Sequence, residues 1–151
     1  MNPHPHIRPH AGLPELAERL RRRSRKATGP RQAILEVLRL QAHPLSIKEI
    51  FSALPKGECD LATVYRCMHL LEEMRMVKQF DLGDGVARFE LLLEGDDGHH
   101  HHLVCTHCAG VVEIEDCSLH DLERQVATRN GFKAVTHKLE FFGICPACQK
   151  P

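Results

Sequence analysis

Apolar residues in the first half of the chain recur at helical spacing, in short runs separated by start and stop signals. Thr28-Gly29-Pro30-Arg31 opens one such run, with proline near the first turn, and Ile34, Leu35, Val37, Leu38 and Leu40 supply its apolar face. Ser46-Ile47-Lys48-Glu49 has the form of a capping box and leads a short helix through Ile50, Phe51 and Leu54, which Pro55-Lys56-Gly57 ends. Asp60 is placed to cap a third helix, Leu61 to about Met74, whose stripe is Val64, Met68, Leu71 and Met74 with Leu70. Tyr65, Arg66 and His69 fall largely off that stripe. Ahead of these runs, Glu15 to Lys26 reads as a further helix, with Arg19, Arg21, Arg22, Arg23, Arg25 and Lys26 crowding its second half.

The period then changes. Val77 to Leu82 and Val86 to Leu91 read as two strands around Gly83-Asp84-Gly85. Short helices followed by a two-strand wing predict a winged helix-turn-helix, in which the helix at Leu61–Met74 would enter the major groove of DNA. Thr63, Tyr65 and Arg66 are then candidates for phosphate and base contacts, with Arg25, Lys26 and Arg31 as further phosphate ligands. Glu94-Gly95-Asp96-Asp97-Gly98 is a polar break. Beyond it, His99–Cys105 and Val111–Glu115 read as strands, Ser118 to Asn130 as a helix stopped by Gly131, and Val135 to Ile144 as a last strand. The expected class is α+β. The expected organisation is a mobile tail at 1–14, carrying His4, His6 and His10, a DNA-binding domain at 15–92, a hinge at 93–98 and a dimerisation and metal-binding α/β domain at 99–151.

With 42% apolar and 26% charged residues, the composition is that of a globular protein rather than a disordered one. One tyrosine and no tryptophan leave little for large aromatic cores, so small halves would benefit from a metal staple. The net charge of zero conceals an asymmetry. Residues 1–80 hold 14 Lys/Arg against 8 Asp/Glu, and residues 81–151 hold 6 against 12. A basic half joined to an acidic half suggests an anion-binding module fused to something else. No stretch approaches the roughly 20 apolar residues of a membrane span, and the first residues lack the apolar run of a secretion signal. A cytoplasmic protein with no membrane association is expected.

Cys105-Thr106-His107-Cys108 and Cys145-Pro146-Ala147-Cys148 together supply four sulfur ligands, the set of a closed structural Zn²⁺ site. Seven cysteines cannot all pair as disulfides, and a redox Cys-x-x-Cys would explain one motif but not two. His99-His100-His101-His102 precedes the first pair. If that block is extended, His99 and His101 share one face and His100 and His102 the other, so it can feed two separate metal sites.

These features resemble the ferric uptake regulator family of bacterial metal-dependent repressors. The residues that carry the resemblance are Thr28-Gly-Pro-Arg31, His43-Pro44, Leu61-Ala-Thr-Val-Tyr-Arg66, Arg88-Phe-Glu90, the run from His100 to Cys108, Val112-Glu113 and Cys145-Pro-Ala-Cys148, in the family's order. The resemblance implies a homodimer that represses metal-uptake genes by binding a double-stranded, AT-rich inverted repeat when metal is bound. It implies structural Zn²⁺ at Cys105, Cys108, Cys145 and Cys148, and a regulatory ion at the hinge held by His43, Glu90, His100, His102 and Glu113. A further family site matches His99, His101, His120 and His137. Many relatives have carboxylates at the His101 and His120 positions, so this chain departs from the family toward late metals such as Zn²⁺.

Mixed imidazole and carboxylate ligation at the hinge suits Fe²⁺ or Mn²⁺, and Glu113 stands where the family's peroxide sensors characteristically have aspartate. Iron sensing ranks first and a zinc-uptake regulator is the alternative, ahead of manganese or peroxide sensing. A zinc hydrolase would need an open metal position and a recognisable catalytic motif, and neither a His-Glu-x-x-His helix nor a nucleophile elbow is present, so no enzyme is expected. A metal-storing module would bind metal without specific DNA affinity. Cys67 is expected in the core, while Cys59 and Cys117 receive no assigned chemistry.

Overall fold

The computed structural model describes residues 12–23, 25–41, 43–95, 99–114 and 117–150. The expected tail therefore lies almost wholly outside the described residues, as do Asp96 to Gly98 of the expected hinge. The chain divides into two compact units, one holding the described residues up to Gly95 and the other those from His99 onward.

The first unit is built from α1 (Leu13–Arg22), α2 (Gly29–Arg39), β1 (Leu45–Ser46), α3 (Ile47–Ala53), α4 (Leu61–Glu73), β2 (Val77–Asp81) and β3 (Ala87–Leu91). Its capping signals act as the sequence suggests. The Ser46 hydroxyl accepts from the Glu49 amide while the Glu49 carboxylate accepts from the Ser46 amide, and the Asp60 carboxylate accepts from the Thr63 amide at 2.7 Å. Thr28 is the N-cap of α2 by backbone conformation, without a side-chain hydrogen bond. Leu16 and Leu20 from α1, Ile34 and Leu35 from α2, Ile50 from α3 and Val64, Met68 and Leu71 from α4 meet in one core with Val77, Phe89 and Leu91. Cys67 belongs to that core.

Three expectations need correction here. The helix expected over Glu15 to Lys26 is α1, and it stops at Arg22, where Arg23 leaves helical geometry. The sheet expected as a two-strand wing is three-stranded and antiparallel, in the order β1-β3-β2. The added strand is only two residues long, pairing Leu45 with Phe89 and Ser46 with Arg88, too short to leave a periodic trace. The basic run is also not wholly available to an anion. Arg19 donates to the Leu92 carbonyl at 2.7 Å, and Arg22 makes a two-pronged contact with Glu94 at 3.1 Å. Both arginines tie α1 to the chain that follows β3.

The second unit contains β4 (His101–Cys105), β5 (Val111–Ile114), α5 (His120–Asn130) and β6 (Glu140–Gly143). Its sheet runs β5-β4-β6, antiparallel at the first pairing and parallel at the second. Register fixes the two faces. Val112, Leu103 and Phe141 form one row across the sheet, and Glu113, His102 and Glu140 form the next row, on the opposite face. The first row is substantially exposed. Gly131 stops α5 in the left-handed conformation, as expected of a C-terminal glycine. The strand ascribed to His99–Cys105 begins at His101, and the helix ascribed to Ser118–Asn130 begins at His120. The strand ascribed to Val111–Glu115 is β5, with Glu115 outside the described residues.

The last strand is shorter than expected, covering Glu140–Gly143 rather than 135–144. The reason is side-chain chemistry. Ahead of β6 the Leu139 carbonyl meets the His101 ring at 3.0 Å, and His137 turns toward His101 and Glu123. Ladder pairing with β4 starts only at His102–Glu140. Among the described residues, no helix is long and apolar enough to cross a membrane.

Candidate functional site

Four groups of chemistry-bearing side chains stand out, one in the first unit and three in the second. In the first unit, α4 presents Tyr65 and Arg66 outward while Val64, Cys67 and Met68 face the core. Arg25, Arg31, Thr63 and Arg66 line a cleft of about 300 Å³ together with Thr28, Pro30, Cys67 and Leu70. The Arg66 guanidinium donates to the Thr63 hydroxyl at 2.9 Å, and Arg31 donates to the Lys26 carbonyl at 2.7 Å. Three guanidinium groups around one concavity suit an anion with several oxygens, such as a phosphate diester. Lys26 and Tyr65 are exposed but do not line the cleft. Burial pushes the Cys67 thiol up, partly offset by Arg31 beside it.

The turn between β2 and β3 carries its own clamp. Arg88 makes two contacts with the Asp84 carboxylate, at 2.8 and 2.7 Å, and Asp84 also accepts from the Val86 amide. The Arg88 hydrogen bonds hold the Asp84 carboxyl down at about 2.

In the second unit, Cys105, Cys108, Cys145 and Cys148 lie with their sulfurs within 4.8 Å of one another. Two turns bring them there. The Ala109 amide donates to the Cys105 carbonyl at 2.9 Å, and the Cys148 amide donates to the Cys145 carbonyl at 2.9 Å. The Cys108 and Cys145 sulfurs are 3.8 Å apart. Tetrahedral Zn²⁺ with sulfur ligands at about 2.3 Å sets its sulfurs about 3.8 Å from each other, so the cluster has the size such an ion demands. Backbone amides at Cys108, Cys145 and His107 pull the Cys105 thiol down to about 6, preparing it as a thiolate. Sharing hydrogen bonds with Cys145 and Cys108 pushes Cys148 up to about 12, since neighbouring thiolates without a cation repel.

The histidine block divides as alternation predicts. The His100 and His102 rings meet at 4.9 Å between centroids, and the His99 and His101 rings meet at 5.3 Å. His100, His101 and His102 are buried. Glu113 stands directly across from His102 in the sheet, which puts both on one face. Glu140, on β6, lies on the other side of His102. Its carboxylate accepts from the His102 amide at 3.0 Å and lies 3.2 Å from the His102 ring nitrogen Nδ1. Glu140 was not singled out in the sequence, because nothing in the spacing of Leu139-Glu140-Phe141 reveals which strand it will flank. Of the other residues expected at the regulatory ion, His43 is exposed just ahead of β1, and Glu90 is half-buried on β3.

On the opposite face, His99, His101 and His137 gather with Cys117, all ligand atoms within 4.8 Å of one another. His120 is outside that group. Its ring lies 5.3 Å from that of His99, and its Nδ1 lies 3.4 Å from Glu123. Glu123 was also missed by sequence. Its carboxylate accepts from His137 Nδ1 at 2.7 Å, and that hydrogen bond holds its titration below the usual carboxylate range. A carboxylate three residues into a helix that faces a histidine fourteen residues later gives no local signal.

Residues 22–142 match the profile of the ferric uptake regulator family. The chain is 37% identical over 139 residues to the ferric uptake regulation protein of Bacillus subtilis, covering 90% of this chain and 93% of that one. It is 33% identical over 142 residues to the peroxide operon regulator of the same organism, covering 91% and 94%. Its fold is similar to the crystal structure of the Vibrio cholerae ferric uptake regulator, with a TM-score of 0.71 and 30% identity over 86% of this chain and 99% of that one.

Proposed function

Because the chain belongs to the ferric uptake regulator family and is a metal-responsive regulator of that kind, we propose that it is a metal-dependent, DNA-binding transcriptional repressor of metal-uptake and homeostasis genes, acting as a homodimer. The observation that carries this reading is the cleft of Arg25, Arg31, Thr63 and Arg66 beside the exposed face of α4. In this reading the first unit is a winged helix-turn-helix: α3 and α4 form the turn, α4 is the recognition helix and the β1-β3-β2 sheet is the wing. Arg25, Lys26, Arg31 and Thr63 hold the phosphate backbone, Tyr65 reaches toward base edges, and Arg66, in the cleft with Arg25 and Arg31, also holds a phosphate. The partner is an AT-rich inverted repeat, matched to the two-fold symmetry of the dimer.

The exposed apolar row of Val112, Leu103 and Phe141, with Leu122 and Val126 on α5, is the surface that pairing would cover. Cys105, Cys108, Cys145 and Cys148 hold structural Zn²⁺. His43, Glu90, His100, His102 and Glu113 hold the regulatory ion, and Glu140 orients His102 from behind. His43 and Glu90 come from the DNA-binding half and the other three from the dimerisation half. One ion that binds all five favours a single relative pose of the halves, and so a single spacing of the two recognition helices. Linkage requires that DNA in turn tightens metal binding.

Mixed imidazole and carboxylate ligands at this ion favour Fe²⁺ or Mn²⁺, and iron is the first assignment. A zinc-uptake regulator is the alternative, favoured by the ligand set of the neighbouring histidine cluster, which contains no carboxylate. The test is duplex binding by the zinc-stapled dimer, followed by fluorescence anisotropy while a chelator removes the weaker ion. Loss of specific binding that returns with added metal supports the reading. Binding indifferent to chelation refutes it.

A further inference from the structure

Two imidazole nitrogens in the second unit face each other in a way that hydrogen bonding among neutral rings does not explain. His101 Nδ1 lies 3.0 Å from the Leu139 carbonyl, which can only accept, so Nδ1 carries the ring proton. His137 Nδ1 lies 2.7 Å from the Glu123 carboxylate and carries its proton for the same reason. Each ring is thereby left with a lone pair on Nε2, and these two Nε2 atoms are 3.2 Å apart. Facing lone pairs at that distance repel unless a proton or a cation sits between them. The Cys117 sulfur stands 3.4 Å from the same His137 Nε2. The His99 ring closes the group, edge-on to both His101 and His137 at 5.3 and 4.8 Å between centroids.

We propose that His99, His101, His137 and the thiolate of Cys117 form a tetrahedral His₃Cys site selective for Zn²⁺, with Cys117 and not His120 as the fourth ligand. The spacing fits the ion. Zinc with nitrogen at about 2.05 Å and sulfur at about 2.3 Å sets its ligands about 3.3 Å apart for two nitrogens and about 3.6 Å for nitrogen and sulfur. The two measured separations are each within a few tenths of an ångström of those values. The surroundings fit as well. Glu123 behind His137 and the Leu139 carbonyl behind His101 fix both tautomers with Nε2 toward the centre, and an acceptor on the far nitrogen makes each ring a more basic ligand. The His120 ring lies 5.3 Å from that of His99, but it is exposed, its Nδ1 lies 3.4 Å from Glu123, and it stands outside the group of ligand atoms that lie within 4.8 Å of one another. Binding displaces the Cys117 proton to solvent. One thiolate with three imidazoles favours Zn²⁺ over Fe²⁺ and Mn²⁺ more strongly than a carboxylate-bearing site does. The proposal does not depend on the DNA-binding reading.

Cobalt tests it directly. Co²⁺ is titrated into the full-length protein while Zn²⁺ occupies the four-cysteine site, with zinc retention checked by metal analysis of the same sample. The expected spectrum shows tetrahedral visible bands together with a near-ultraviolet sulfur-to-cobalt band. Cys117→Ser should lose the sulfur band, and His120→Ala should keep it. Zn²⁺ should quench the whole spectrum, and Glu123→Ala should lower Zn²⁺ affinity by roughly 10–100-fold while leaving the sulfur band in place. A wild-type spectrum without the sulfur band, or a band that survives Cys117→Ser, overturns the proposal. So does a band lost in His120→Ala. A second readout does not need the variants: alkylation of Cys117, mapped by peptide mass, should be blocked by Zn²⁺, and unchanged labelling with Zn²⁺ bound contradicts the assignment.

Discussion

Leu16, Ile34, Ile50, Met68 and Leu71 come from four helices to fill the interior of the first unit. The unit from His99 onward buries Val104 and Cys105 as its hydrophobic residues, among those described, and beside them His100, His101 and His102. Helix α5 buries none of its side chains, and Leu122, Val126, Phe132, Phe141 and Phe142 stand exposed. The first unit is thus held by apolar area removed from water, which needs no partner. The second collects imidazoles and thiols that are costly to bury without ligation, and leaves its apolar faces outward. This half is therefore expected to need cations inside it and a second surface against it. Ion binding there becomes folding free energy, which suits a half that registers metal.

The contrast is most severely strained by removing a sulfur. Cys105→Ser should release the ion of the four-cysteine site and unfold the second unit, seen as loss of bound zinc and of the dimer by light scattering. The helical signal of the first unit should persist. Leu71→Ala is the mirror experiment. It empties a fully buried position in the α1–α4 core and should cost about 2–5 kcal/mol in denaturant unfolding, with metal content unchanged. If both variants lost zinc and helix together, the two halves would not differ in what stabilises them. Ser46→Ala removes one side of the capping box of α3, and should cost about 1 kcal/mol, again without touching zinc. Arg66→Ala should leave both halves folded, weaken duplex binding and reduce the salt dependence of that binding by about one unit of slope.

The smallest effect concerns acid. Asp84, clamped by Arg88, titrates at about 2, below the unfolded value of about 4. Its contribution is fully present above about pH 4 and disappears as pH falls through about 2. Both groups are partly open to solvent, so the contribution is modest. Asp84→Asn should flatten the acid limb of the first unit's stability slightly, as read by circular dichroism against pH, and leave the neutral range nearly unchanged.

Much of the first unit could be read from the chain because its signals are local. Capping at Ser46, Glu49 and Asp60 and the stripe of Val64, Met68 and Leu71 lie within a few residues of one another. What escaped was set by distant partners. Arg19 and Arg22 look like part of a basic run until the chain after β3 returns past them. The two residues of β1 become a strand only because Phe89 and Arg88 arrive beside them. In the second unit the histidine faces followed from alternation, and the cysteine pairs announced their own cluster. Cys117, Glu123 and Glu140 did not, since each gains its role from a side chain 14 to 38 positions away.

The most direct test of two halves held by different forces is hydrogen exchange on the full-length protein, metal-loaded and metal-stripped, read peptide by peptide. Amides in residues 101–114 and 140–148 should lose most of their protection when metal is removed, while those of α2 and α4 keep theirs. Equal loss across both halves, or protection in the second unit that survives complete stripping, would contradict the account.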